Sequence, residues 1–152
     1  MRGKVGFVFI GFMLILINSL NAQMSKSQLQ QMYVTYLREQ GYQTNVDSDG
    51  DVTFKAEGYN FYIVVDEDDL ESFRIVFPNF WEIESTAERV RAYEAAMYAT
   101  RTTKVASVYI TSRDNTSIDA NIFVGKPEDF KLHFRRMIDV ILIARRDFID
   151  KM

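Results

Sequence analysis

The feature that most constrains the fold is a series of short alternating strands joined by turns too short for crossovers. Asp49-Gly50 separates two runs in which apolar residues take every second position, and Gly58 and the acidic run at 66–69 separate two more. An Asp-Gly pair between such runs is typical of a tight β-hairpin. Parallel neighbours would need connections of a dozen or more residues, so the sequence predicts antiparallel strands.

Helical patterns frame these strands. Ser25 or Ser27 can cap a first helix that ends at Gly41, and Ser85-Thr86-Ala87-Glu88 is a capping box that opens a second helix to about residue 101. A second hairpin, around Asp114-Asn115, precedes a third helix that starts after Pro127 and runs to about residue 150. The order α-β-β-β-β-α-β-β-α predicts an α+β fold with an antiparallel sheet and helices packed mainly on one face.

The N-terminal 22 residues have the pattern of a signal peptide. Arg2 and Lys4 precede an apolar stretch from Val5 to Leu20, and Ala22 is a small residue suited to cleavage. The apolar stretch is shorter than the roughly 20 residues that span a bilayer as a helix. We expect an exported protein, periplasmic or secreted, with no stable membrane span after cleavage and with a single domain at residues 23–152.

Charge and residue types exclude several functions. With 18 basic and 21 acidic side chains the chain has no cationic surplus for nucleic acid. It contains no cysteine and one histidine, His133, with no nucleophile motif or metal-ligand spacing around it. The sequence therefore predicts a non-enzymatic protein without a cofactor.

The order of elements and several turns resemble those of a known family. The shared features are the Gly41-Tyr42 start of the first strand, the Asp49-Gly50-Asp51 hairpin, Ala56-Glu57-Gly58, the acidic turn at 66–69 and Lys104-Val105. In these the chain is similar to the YbjN-like proteins, which have the type III secretion chaperone-like fold. The resemblance implies a domain that binds other polypeptides, often as a dimer, and implies no catalytic residues.

Two acidic turns are candidates for a cation site. Strands that run up and down bring alternate turns to the same end of a sheet, and carboxylate oxygens are the ligands that Ca²⁺ prefers. The spacing does not fit a calcium loop, so we expect solvated turns and keep a Ca²⁺ site only as an alternative. Its candidate ligands are Asp47, Asp49, Asp51, Asp66 and Asp68.

Aromatic residues mark two candidate partner-binding surfaces. Phe80 and Trp81 follow the end of a strand, where they either cover the edge of the core or form a partner's pocket. Tyr62, Tyr109 and Phe123 fall on the sheet face that alternation predicts to be partly wet, among polar residues, as is common at interfaces.

The third helix supplies the strongest candidate surface. Its main apolar face is the one a core-facing helix needs, but Leu132, Val140 and Ile143 project from the opposite side. Exposed apolar side chains of this kind mark binding surfaces. The sequence therefore predicts a homodimer or a domain that binds another protein through this helix or the open sheet face. The alternative is a protein that binds a small ligand or a divalent cation.

Overall fold

The computed structural model describes residues 24–152, so the predicted signal peptide lies outside the described residues. The sheet contains six antiparallel strands in the order β1-β2-β3-β4-β6-β5. The helices are α1 (Lys26–Glu39), α2 (Thr86–Thr102) and α3 (Phe134–Ile149), and the strands are β1 (Thr44–Val46), β2 (Val52–Ala56), β3 (Tyr59–Ile63), β4 (Ser72–Glu82), β5 (Ala106–Ile110) and β6 (Asn115–Phe123).

The α+β prediction is confirmed, with the helices on one face of the sheet. α1 packs on β1 and β2, while α3 packs on β4, β5 and β6 and also against α2. The core lies between the helices and alternate residues of the strands. No helix among residues 24–152 is long and apolar enough to cross a membrane.

α1 begins at a complete capping box. The Gln28 amide donates to Ser25 Oγ, and the Ser25 amide donates to Gln28 Oε1 at 2.9 Å. Two of the amides that a helix start leaves unpaired are thereby satisfied. Leu29, Tyr33 and Leu37, at helical spacing, are buried against the sheet.

The turn between β2 and β3 has a backbone that few residues adopt. Ala56 pairs with Tyr59, which leaves Glu57 and Gly58 as the loop, with φ of 51° and 84°. Positive φ at both positions matches a type I′ turn, whose twist suits a two-residue hairpin. Glycine suits this conformation, whereas Glu57 adopts it at a steric cost.

The capping box predicted for α2 forms only in part. Ser85 Oγ accepts from the Glu88 amide, but the Glu88 carboxylate accepts from the Glu84 amide at 2.8 Å and from Trp81 Nε1 at 2.9 Å. These bonds, the Glu84 amide first, hold the pKa of Glu88 below its usual value. The carboxylate thus ties the end of β4 to the start of α2.

The prediction of one continuous third helix is wrong. Residues Pro127–Leu132 form a 3-10 helix, His133 departs from helical geometry with φ of −112°, and α3 starts at Phe134. Within this segment Phe130 is fully buried and meets the ring of Tyr33 edge-on at 4.9 Å. The 3-10 helix therefore packs against α1 before α3 begins.

Candidate functional site

A half-open groove of about 450 Å³ lies where the end of α2, the start of β5, strand β6 and helix α3 meet. Helix α3 forms one wall, and the connection between α2 and β5 forms the other. The groove is lined by ten residues: Thr102, Thr103, Lys104, Val105, Ile122, His133, Arg136, Met137, Val140 and Ile143.

The walls of the groove are mainly apolar. Val105 is 51% exposed and Ile143 is 41% exposed, whereas Val140 and Ile122 are partly buried against the core and Met137 is buried. Apolar side chains left in contact with water in a concave site are typical of a surface that binds something. Two of the three residues predicted on α3, Val140 and Ile143, lie in this groove.

Val105 has the most unusual backbone in the groove. Its φ is +57°, in the left-handed region, where a β-branched side chain is a steric outlier. Val105 lies two residues after Thr103, the C-cap of α2, and its carbonyl accepts from the Asn121 amide at 3.2 Å, which holds the conformation. Strained backbone of this kind is concentrated at functional sites.

A lysine, an arginine and a histidine side chain line the same groove. Lys104 belongs to the connection before β5, and His133 and Arg136 belong to the start of α3. None of the three side chains has a hydrogen bond or ion pair with any other residue in the described part of the chain. No aspartate or glutamate lines the groove, and the first turn of α3 contains no acidic residue. Lys104 and Arg136 therefore give the lining a positive charge beside its apolar walls, and the Asp147 carboxylate, which is not itself a lining residue, accepts from the Thr102 hydroxyl at 3.0 Å.

The cationic and apolar residues occupy different parts of the α3 wall. His133 is the N-cap of α3, Arg136 lies in its first turn, and Val140 and Ile143 lie one and two turns further along. At 1.5 Å per residue, the distance along the helix from His133 to Ile143 is about 15 Å. Along the α3 wall the groove is thus polarised, with a cationic end at Arg136 and an apolar end.

The free edge of the sheet beside the groove is partly blocked. β5 is an edge strand, and its Val108 amide, which points away from β6, donates to the Thr100 hydroxyl of α2 at 2.9 Å. Thr100 therefore occupies a backbone group that an added strand would need. This favours docking in the groove over strand addition at β5.

The open face of the sheet, the second predicted surface, is covered by its own polar and aromatic side chains. Arg74 forms an ion pair with Asp119 at 2.5 Å, and Val76, which pairs with Tyr62 and Asp119 on the neighbouring strands, is only 1% exposed. Burial raises the pKa of Tyr62 and of Tyr109, and the nearby Tyr109 raises the pKa of Tyr62 further. The structure thus brings Tyr62 and Tyr109 together. Phe123, the third residue predicted on this face, follows Asp119 and Asn121 at alternate positions of β6 and is 79% exposed at the end of the strand.

The remaining predicted residues lie apart from both surfaces. Leu132 is also 79% exposed, at the end of the 3-10 helix. Phe80 and Trp81 pack against Phe148 at ring distances of 5.2 and 6.0 Å. Phe80 and Trp81 therefore cover the edge of the core.

The carboxylates of the acidic turns bond to backbone amides. Asp47 Oδ1 accepts from the amides of Asp49 and Asp51, and Asp51 Oδ1 accepts from the Val65 amide. The two turns do lie at one end of the sheet, where the Lys26 amide donates to Glu67 and its ammonium donates to the Asp49 carbonyl. Residues 24–152 contain no group of three or more acidic or histidine side chains arranged to hold a metal.

From the sequence, Lys104 and His133 are not assigned to a site, and Arg136 is placed only among the arginines that surround the apolar patch of α3. Lys104 is distant in the chain from the other two, and His133 lies at an unforeseen break between two helices. The one local signal is Lys104-Val105, where a β-branched residue closely follows a helix that ends without glycine.

Comparisons with known proteins add little to this geometry. No protein-family model matches the chain, and no curated protein matches it. A solved structure described as an uncharacterized protein from Methanothermobacter thermautotrophicus is similar at 14% sequence identity and a TM-score of 0.46, over 79% of this chain and 99% of that one. A functional interpretation therefore depends on the groove itself.

Proposed function

We propose that the protein is an exported, non-enzymatic domain that binds an apolar segment of another polypeptide in the groove between α3 and the start of β5. The observation that carries this proposal is Val105. Its apolar side chain is half exposed to water and its backbone is strained, and each of these lowers the stability of the fold. Together they keep an apolar group on the groove wall.

The chemistry of the groove supports binding over catalysis. Its ten lining residues include one histidine, two threonines, one lysine and one arginine, but no carboxylate that could orient the imidazole. The resemblance of the turns to YbjN-like proteins, which are expected to bind polypeptides, supports the same function.

A homodimer is part of this proposal. Leu132 and Phe123 are strongly exposed outside the groove, and Val90, Tyr93 and Met97 form an exposed stripe along α2. A second copy that covers some of these side chains would remove apolar surface from water. Size-exclusion chromatography with light scattering measures this directly, and a monomer at all concentrations would contradict it.

Binding of peptides tests the main proposal. We expect the purified protein to bind a subset of apolar peptides on an array of synthetic sequences, and Ile143→Glu to abolish that binding because it places a charge on the groove wall. Met97→Glu is the matched control, since Met97 is 69% exposed on α2, outside the groove. Binding to no peptide, or equal binding by both variants, would refute the proposal.

A small amphipathic ligand is the second candidate. The groove volume of about 450 Å³ falls within the range of small-molecule sites. The same array experiment separates the two candidates when a hydrophobic dye is included. A protein that binds the dye in the groove, sensitive to Ile143→Glu, but binds no peptide would favour the small ligand.

A further inference from the structure

We propose that the groove recognises a polypeptide by its C-terminus, with the free α-carboxylate at the cationic end and the preceding apolar residues along α3. This inference rests on the function proposed above and names the part of the partner that is bound. It follows from the charge and from the polarity of the groove.

The charge argument starts from the arginines of α3. Arg135 forms ion pairs with Glu57 and Asp139, Arg146 pairs with Asp147, and the guanidinium of Arg145 lies over the ring of Tyr59 at 4.8 Å. Arg136 is the exception on this helix. It lines the groove and, within residues 24–152, has no partner.

His133 lines the groove three residues before Arg136 and also lacks a side-chain partner among the described residues. A guanidinium group and an imidazole N–H together provide donors that bind a carboxylate, and charge-assisted bonds to carboxylate are the strong ones. An anion is therefore the ligand group that complements this end of the groove.

The order of groups along α3 indicates that the anionic group of the ligand is followed by an apolar part. His133 and Arg136 stand at the start of α3, and Val140 and Ile143 follow over about 15 Å along the helix axis. An extended polypeptide advances about 3.3 Å per residue, so this length accommodates roughly four residues. A polypeptide that ends in apolar residues presents one carboxylate followed by apolar side chains in this order.

The openness of the groove favours a polypeptide over a fatty acid, which has the same carboxylate and apolar body. Sites for small molecules typically enclose 70–90% of the ligand surface. This groove is half open, with Val105 and Ile143 still in contact with water on its walls. A polypeptide needs to bury only some of its side chains, because the remainder of the partner stays in solvent.

The experiment uses one library of peptides in two chemical forms. The peptides carry an N-terminal fluorophore and randomised apolar residues at the C-terminal end, and each is made as the free acid and as the amide. We expect the free acids to bind about tenfold more tightly by fluorescence anisotropy, the scale of one charge-assisted contact. Arg136→Gln should remove that difference.

Arg135→Gln is the matched control, because it makes the same change on the next residue of α3, outside the groove. It should leave the preference for free acids intact. Loss of the preference in both variants would assign it to the general charge of α3 and overturn the inference.

The outcomes separate this inference from the proposed function. If acids and amides bind equally and Ile143→Glu abolishes both, recognition of the C-terminus is wrong while polypeptide binding stands. If neither form binds, both proposals fall. Saturable binding of laurate that depends on Arg136, with no peptide binding, would show that the occupant is a fatty acid.

Discussion

The left-handed backbone at Val105 can be tested by comparing alanine and glycine at that position. Both substitutions remove the same apolar side chain from the groove wall, so the loss of its contacts cancels in the comparison. What remains is the difference between a residue with a Cβ atom and one without it at φ of +57°. The comparison therefore isolates backbone strain.

The expected difference can be estimated from opposing terms. A Cβ atom in the left-handed region costs about 1–2 kcal/mol, which glycine avoids. Glycine loses more backbone entropy on folding, by about 0.5–1 kcal/mol relative to alanine. Val105→Gly should therefore have a free energy of unfolding about 0.5–1 kcal/mol higher than Val105→Ala.

Ser107 provides the matched control. It is exposed, it lies two residues later in β5, and φ there is not positive. In a strand, glycine is less stable than alanine by about 0.5–1 kcal/mol, so the order of the two variants should reverse. Urea denaturation of all four variants measures the unfolding free energies, and thermal denaturation should give shifts of about 2–5 °C per kcal/mol.

One result would refute the argument about strain. If Val105→Gly is less stable than Val105→Ala by the margin seen at Ser107, residue 105 is not held in the left-handed region. The observation that supports the proposed function would then be lost. If Val105→Gly is instead more stable than Val105→Ala, it should also bind apolar peptides more weakly than the wild type, because the groove wall loses the valine side chain.

Three further predictions concern the scaffold. Gly58→Ala should lower the free energy of unfolding by about 1 kcal/mol, measured by urea denaturation, because φ is +84° there and no atom lies within 4 Å of the added Cβ. Phe148→Ala should lower it by about 3–5 kcal/mol in the same assay, because the ring is fully buried against Phe80 and Trp81. Since the pKa of Glu88 is lowered by folding, its carboxylate stabilises the fold at neutral pH, and this contribution disappears as the pH falls through that pKa. Glu88→Gln should therefore be less stable than the wild type at neutral pH and similar to it in acid, and an equal deficit at both would contradict the linkage.

The sequence was sufficient to predict the hairpins of the sheet because their turns are specified locally, whereas the pairing of β4 with β6 was not predicted. Asp49-Gly50 and Glu57-Gly58 stand between alternating runs, and the glycines adopt φ of 92° and 84° in the structure. Such turns fix which strands are neighbours and that they are antiparallel. The buried face then follows from alternation, as at Val52 and Phe54, which are both buried.

Local patterns were insufficient where distant residues compete for the same groups. The Glu88 carboxylate was predicted only as part of a capping box, but it also accepts from Trp81 Nε1 and from the Glu84 amide, which lies before the N-cap. The third helix was predicted as continuous, but its first six residues form a 3-10 helix in which Phe130 is buried beside Tyr33. In both places the difference is accompanied by a contact with an aromatic residue that the spacing rules do not include.

Only part of the groove could be predicted from the sequence. Val140 and Ile143 stood out because they break the amphipathic pattern of one helix, which is a local property. The opposite wall is not a local feature, because Lys104 and Val105 reach the groove only when α2 packs against α3.

A rule about helix ends applies to the opposite wall. Helices commonly end with glycine or asparagine in the left-handed conformation, but the chain after α2 has neither before β5. Val105 takes the left-handed position instead, two residues beyond the C-cap. Where a β-branched residue follows a helix that lacks a glycine cap, strain in the backbone and an apolar side chain exposed to solvent can be expected at one position. Val105, next to Lys104 in the sequence, has both properties, and it lies on the wall of the groove opposite α3.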